Sequence, residues 1–216
     1  MSPHLPARLV YHLADAANWD SIQRLGLLSA SRLMDLAGLT EAQRKRIERA
    51  QRQASITLPT GTGLRDQVPM PPAALLRCLI GMTPAEWYAL VNSKVFFWFD
   101  PGRLERQRRA GAASPRAVVM TIDAERLLRA HGARAAFSAI NTGNARRNPA
   151  LRGRQSFVPY AAWLDGRWAS EAAALGTRPR APSYPPAELT IGESVPDAMD
   201  FVLSVRHLDR DEPFTP

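Results

Sequence analysis

Lys94-Val95-Phe96-Phe97-Trp98-Phe99-Asp100 is the stretch on which the fold class turns. An unbroken apolar run this short, rich in aromatic residues and closed by a charge at each end, reads as a strand buried on both faces. Upstream, Thr83-Pro84-Ala85-Glu86 opens a helix, with proline at the favoured first position. Downstream, Pro101 and Gly102 break the strand before an arginine-rich helix.

The same short-strand, short-helix texture extends in both directions. Residues 9–13 read as a first strand. Ala17 to Gly26 follows as a helix with Trp19, Ile22 and Leu25 on one face, ended by Gly26. Ser29 or Ser31 can cap a helix running through Leu36. Thr40 with Gln43 forms a capping box for a charged, solvated helix over Thr40–Gln53. Residues 55–64 carry Pro59, Gly61 and Gly63 and read as a loop, followed by a helix from Ala73 to Leu79. Ala117–Ile122 is a predicted strand, Ala124–Ala130 a helix, and Ala135–Ile140 a strand ending at Asn141-Thr142-Gly143. Residues 144–186 lack periodicity. Ala187–Ile191 and Phe201–Val205 read as paired closing strands around a turn at Pro196. Strands scattered among helices without regular βαβ alternation make the chain α+β.

A length of 216 residues with 45% hydrophobic content suits one domain spanning 1–216, and 18 prolines with 13 glycines make it loop-rich. The single Cys78, among apolar neighbours, excludes an intrachain disulfide and reads as a buried structural thiol. His4, His12, His131 and His207 are too far apart for a metal motif, so no metal is expected. Neither a phosphate-binding glycine loop nor a GxSxG elbow occurs. No run reaches a membrane span, and His4, Pro6 and Arg8 interrupt any signal-peptide layout, so a cytoplasmic, bacterial-type protein without a membrane partner is expected. The net charge of +8 favours a polyanionic partner. Near-absence of lysine (Lys45 and Lys94 only) beside abundant arginine and alanine is also what a GC-rich genome yields.

Tyr11-His12-Leu13, followed by Trp19-Asp20-Ser21-Ile22 and Gly26-Leu27-Leu28, resembles the opening of the DarT-type, DNA-targeting ADP-ribosyltransferases. Ala187-Glu188-Leu189-Thr190-Ile191, then Val195-Pro196 and Phe201–Val205, is similar to that family's catalytic-glutamate strand and proline turn. Arg65 in Leu64-Arg65-Asp66-Gln67 takes the place of its central arginine, though the surrounding sequence is not reproduced. Arg-Asp-Gln, Val-Phe-Phe-Trp-Phe and Asn-Thr-Gly look like an uncharacterised bacterial family, making the chain a divergent relative. The resemblance implies an ADP-ribosyltransferase-like fold, with short mixed strands in a split sheet and peripheral helices. It also implies NAD as substrate, a toxin-like role and a nucleic acid acceptor; an antitoxin partner is conceivable but unknown.

NAD loses nicotinamide through an oxocarbenium-like transition state, which a carboxylate stabilises while orienting or deprotonating the acceptor. Glu188 is the candidate carboxylate; the alternative is a solvent-facing glutamate alternating with Leu189. Arg65 can hold a phosphate through its planar fork, or pair with Asp66 at the surface. His12, with Leu13 beside it, can hydrogen-bond a ribose, or serve as an ordinary strand histidine. Asn141 and Thr142 end a strand where side chains can meet the cofactor, or form a plain turn. In the acceptor-facing segment at about 144–186, Arg152, Arg154, Phe157 and Tyr160 are the candidate substrate-binding residues. They belong to a mixture of basic and aromatic residues, also including Arg146, Arg147, Arg167, Trp163 and Trp168, that suits phosphates and unpaired bases. The alternative is a surface loop anchored by core aromatics. Water as acceptor (an NAD glycohydrolase) and a non-catalytic nucleotide-binding module remain open at this point.

Overall fold

The computed structural model describes residues 5–110 and 116–216. His4 lies outside them. The strands are β1 (Leu9–Asp15), β2 (Leu27–Leu28), β3 (Ile56–Thr57), β4 (Gly63–Leu64), β5 (Lys94–Trp98), β6 (Arg116–Asp123), β7 (Ala135–Ser138), β8 (Val158–Pro159), β9 (Glu188–Gly192), β10 (Ser194–Val195) and β11 (Val202–Asp209). The helices are α1 (Trp19–Leu25), α2 (Ala30–Leu36), α3 (Glu41–Glu48), α4 (Pro72–Leu76), α5 (Pro84–Asn92), α6 (Pro101–Ala110), α7 (Ala124–His131), α8 (Tyr160–Gly166) and α9 (Ala169–Leu175). The chain is α+β.

Seven strands form one sheet in the order β11-β6-β1-β5-β9-β7-β8. Every pairing in it is antiparallel, so the strands are not of mixed direction. β1 runs in full register with β6, yet meets β5 through one registered pair, Tyr11 with Trp98. The sheet is therefore split between β1 and β5, as the resemblance implies. Two short ribbons, β2 with β10 and β3 with β4, flank it.

Alternation along β5 and β9 sorts side chains to two faces. Val95, Phe97, Leu189 and Ile191 join Val118, Phe137, Trp163 and Trp168 in the larger core. Phe97 is fully buried; burying a ring of this size is worth about 2–3 kcal/mol. On the opposite face, Trp87 and Tyr88 of α5, Leu75 of α4 and Phe157 form a second core against Phe96. Tyr11, Trp98, Leu104 and Phe214 make a third, under α6.

The capping box at Thr40, the Ser29 cap and the proline-started α5 form as the sequence predicts, and α5 has a capping box of its own at Thr83. Four expectations are corrected. The helix from Thr40 stops at Glu48 instead of Gln53, because the chain turns there so that Arg52 and Gln67 can exchange hydrogen bonds. The 55–64 loop contains the β3–β4 hairpin. The aperiodic 144–186 segment contains α8 and α9. The two closing strands do not pair: β9 lies between β5 and β7, while β11 runs along β6 at the far edge. Gly26 explains the turn into β2: its φ is +71°, and a Cβ there would meet the Val195 carbonyl oxygen at 2.3 Å.

Candidate active site

The split in the sheet opens into a cavity of about 310 Å³. His12 and Leu13 line it from β1, Lys94, Phe96 and Trp98 from β5, and Glu188 from β9. Arg65 and Asp66 line it from the segment after β4, Asn141 and Gly143 from the loop after β7, and Gln107 from α6. A smaller cavity of about 120 Å³, between β1, α1 and the Gly26 turn, shares His12, Leu13 and Arg65 as its dividing wall.

Glu188 opens β9 opposite Trp98 and Ser138, buried in the sheet. Its carboxylate accepts from the Thr142 backbone N–H, at 3.3 and 3.2 Å, and from the Thr142 hydroxyl at 2.7 Å. Burial pushes its pKa up to about 7, against the pull of the Thr142 hydrogen bonds and the charges of Arg152 and Arg103. Carboxyl and carboxylate forms are thus both accessible near neutrality.

His12 Nδ1 lies 2.8 Å from the Phe96 carbonyl oxygen, across the seam. A carbonyl only accepts, so Nδ1 carries the proton and donates. Burial drives the His12 pKa down to about 4, despite that bond. The ring is neutral at pH 7, and Nε2 is left as an acceptor.

The Arg65 guanidinium makes no hydrogen bond or salt bridge to another described residue. Burial lowers its pKa, opposed by the nearby charges of Asp66 and Asp15. Its backbone is held firmly: Arg52 Nε donates to the Arg65 carbonyl at 2.8 Å, and Arg52 Nη1 to Asn92 Oδ1 at 3.1 Å. Gln67 and Asn92, both buried, close this network at 3.2 Å. A buried polar lattice with its partners satisfied rigidifies what it carries. Here it carries an arginine with a free fork.

The structure brings together His12, Leu13, Arg65, Asn141 and Glu188, which the sequence holds at four separated positions. Thr142 is fully buried with its hydroxyl spent on Glu188, so it holds the carboxylate and does not line the cavity. The proposed acceptor residues are divided. Arg154 is exposed. Arg152 is buried, donating to the Ala150 and Thr142 carbonyls at 3.2 and 3.3 Å with its guanidinium over Trp87. Phe157 is buried, its ring centroid 5.7 Å from that of Trp87 and 6.3 Å from that of Phe96. Tyr160 packs on Phe137 at 5.4 Å. The expectation that Arg152 and Phe157 present themselves to an acceptor is corrected, because hydrogen bonds and apolar contacts hold both inward; Tyr160 is half-buried at the edge of the larger core. Trp163 and Trp168 are core residues too. Arg146, Arg147 and Arg154 are the exposed cations among those named for this segment.

Sequence reading missed Arg52 and Lys94 on the cavity wall. Lys94 had a signal, since it is one of two lysines and begins the central strand. Arg52 had none, lying where helical periodicity still ran. Among the described residues, no group of His, Cys, Asp and Glu could hold a metal ion. No helix there is long and apolar enough to cross a membrane.

The chain belongs to a family of unknown function (DUF7002), whose model matches residues 8–202. No curated protein matches it. Among solved structures it is similar to Thermosipho africanus DarTG in complex with ADP-ribose, at 11% identity and a TM-score of 0.43, covering 92% of this chain and 43% of that one. The chain thus spans less than half the length of that protein. It is also similar to Thermus sp. 2.9 DarT in complex with NAD+, at 13% identity and a TM-score of 0.40, covering 95% of this chain and 82% of that one. The same Thermus protein in complex with ADP-ribosylated single-stranded DNA matches at 13% identity and a TM-score of 0.36, over 88% of this chain and 77% of that one.

Proposed function

We propose that this DUF7002 member is an NAD-dependent ADP-ribosyltransferase, with Glu188 as the catalytic carboxylate and His12 and Arg65 as NAD-binding residues. The observation that carries the reading is the convergence of Glu188, Arg65 and His12 on one cavity from segments distant in sequence. A dinucleotide has two nucleoside ends joined by a diphosphate. Two adjoining cavities that share a wall of His12 and Arg65 suit such a bipartite ligand. The unpaired Arg65 fork suits the diphosphate, and the free Nε2 of neutral His12 suits a ribose hydroxyl.

In the reaction, the bond between the ribose anomeric carbon and the nicotinamide nitrogen breaks, and its electron pair leaves with nicotinamide. Positive charge grows on the sugar, where ionised Glu188 stabilises it. The acceptor nucleophile forms the new bond to that carbon and loses a proton. A carboxylate with a pKa near 7 is matched to take it. Nucleic acid is the acceptor this reading prefers, on the +8 charge and the exposed Arg146, Arg147 and Arg154.

The test is to incubate the protein with labelled NAD and separate pools of single-stranded DNA, RNA and protein, beside Glu188→Ala. Label moved to one pool by wild type alone supports the reading and identifies the acceptor class. Free ADP-ribose without transfer makes water the acceptor. NAD untouched in every pool sinks the transferase and leaves a binding module.

A further inference from the structure

Arg152 is 2% exposed and pairs with no carboxylate at salt-bridge distance among the described residues. A buried cation without a counter-charge is costly, and a neutral side chain of similar volume would ordinarily be better tolerated between Trp87 and Cys78. What sets this arginine apart is its place in a chain of contacts. Its Nη1 donates to the Thr142 carbonyl at 3.3 Å, and the Thr142 N–H and hydroxyl both donate to Glu188. Its Nε donates to the Ala150 carbonyl, so the loops around 142 and 150 are tied to one guanidinium. Burial bears on it most, then the Cys78 thiol with which it shares a hydrogen bond, and the carboxylate whose charge it feels is Glu188.

We propose that Arg152 is a positioning residue for Glu188. Through Thr142 it fixes the donors that orient the carboxylate, and its charge, one residue behind those donors, favours the ionised form. The role rests on the reading of Glu188 as the working carboxylate, but the contact chain does not. Other charges bear on Glu188 and stay constant in the test. Arg103 on α6 acts in the same direction, and His12, Arg65, Asp66, Arg52 and Lys94 line the same cavity.

The experiment is an NMR titration of the glutamate side-chain carboxyl carbons, with Glu188 assigned by its loss in Glu188→Gln. Wild type, Arg152→Gln and Arg152→Lys are compared. Removing the cation should raise the Glu188 midpoint by about one pH unit. Lysine keeps the charge and loses the paired donors, so it should give a smaller rise. The acid limb of NAD consumption should move up in pH by the same amounts in the same variants. An unmoved midpoint in Arg152→Gln, or in Arg152→Lys should the first not fold, overturns the proposal and leaves Arg152 as scaffold. The titration needs no turnover. A moved midpoint in a protein that consumes no NAD keeps the positioning role and rejects the transferase.

Discussion

His12 donates from Nδ1 to the Phe96 carbonyl at 2.8 Å, and this side-chain bond crosses the gap where β1 and β5 share one registered pair. The bond fixes the tautomer, the ring plane and the direction of Nε2 together. Replacing His12 with Asn should keep a donor to Phe96 while removing the ring. NAD affinity should fall about tenfold, roughly one hydrogen bond's worth, with the circular dichroism spectrum unchanged. Unchanged affinity in calorimetry would remove His12 from the site.

Two ionisable groups in this site tilt stability against pH in opposite senses. The Glu188 pKa is raised from 4.5 to about 7, so the native state keeps a proton that the unfolded chain releases. Its contribution is lost as pH rises from about 4.5 to 7, on the order of 3 kcal/mol in all. The His12 pKa is lowered from 6.5 to about 4, so its contribution is present above 6.5 and lost as pH falls toward 4. Between these limits the slopes oppose one another. Glu188→Gln should therefore leave a protein that weakens on acidification, and should melt higher than wild type at pH 8. Denaturant melts at pH 5 and pH 8 decide it; parallel shifts at both would contradict the assignment.

Arg65→Ala should weaken NAD binding by 10- to 100-fold, the loss of a charge-assisted contact of about 2–3 kcal/mol. Melting temperature should hold or rise, because the guanidinium is desolvated without a direct partner. A large drop in melting temperature would make Arg65 structural.

The acceptor segment separates into surface and core. Replacing Arg146, Arg147 and Arg154 with Gln should lower affinity for single-stranded nucleic acid and flatten its dependence on log salt by about 2, if each neutralises one phosphate. Phe157→Ala should instead cost about 3–5 kcal/mol of stability. A binding loss in a Phe157→Leu variant that melts like wild type would return that ring to the acceptor.

Gly26→Ala should destabilise the turn into β2 severely, since a Cβ would press on the carbonyls of Val195 and Pro196 at 2.3 and 2.4 Å. A melting temperature within a degree of wild type would show that β10 yields.

Much of this was legible in residue order. The Val95–Phe99 run, the Thr40 capping box, the Pro84 helix start and the Gly26 stop are local signals, and local physics decides them. Glu188, Arg65 and His12 were readable by resemblance, while their meeting in one cavity depends on strand order, which no local signal encodes. The fate of residues 144–186 was illegible for the same reason. An arginine or a phenylalanine beside a turn faces water or core according to what packs above it. Arg152 went inward because Trp87 and the Thr142 carbonyl were there to receive it.

The position of β9 makes the site depend on a segment late in the sequence. β5 and β7 both precede β9 in the sequence, and each lacks its shared neighbour until residues 188–192 have emerged. Until then the wall of the cavity lacks the Glu188 carboxylate. The strand that joins β5 to β7 is also the strand that carries Glu188. On the function proposed above, a chain stalled on the ribosome before residue 188 lacks its working carboxylate and is inert.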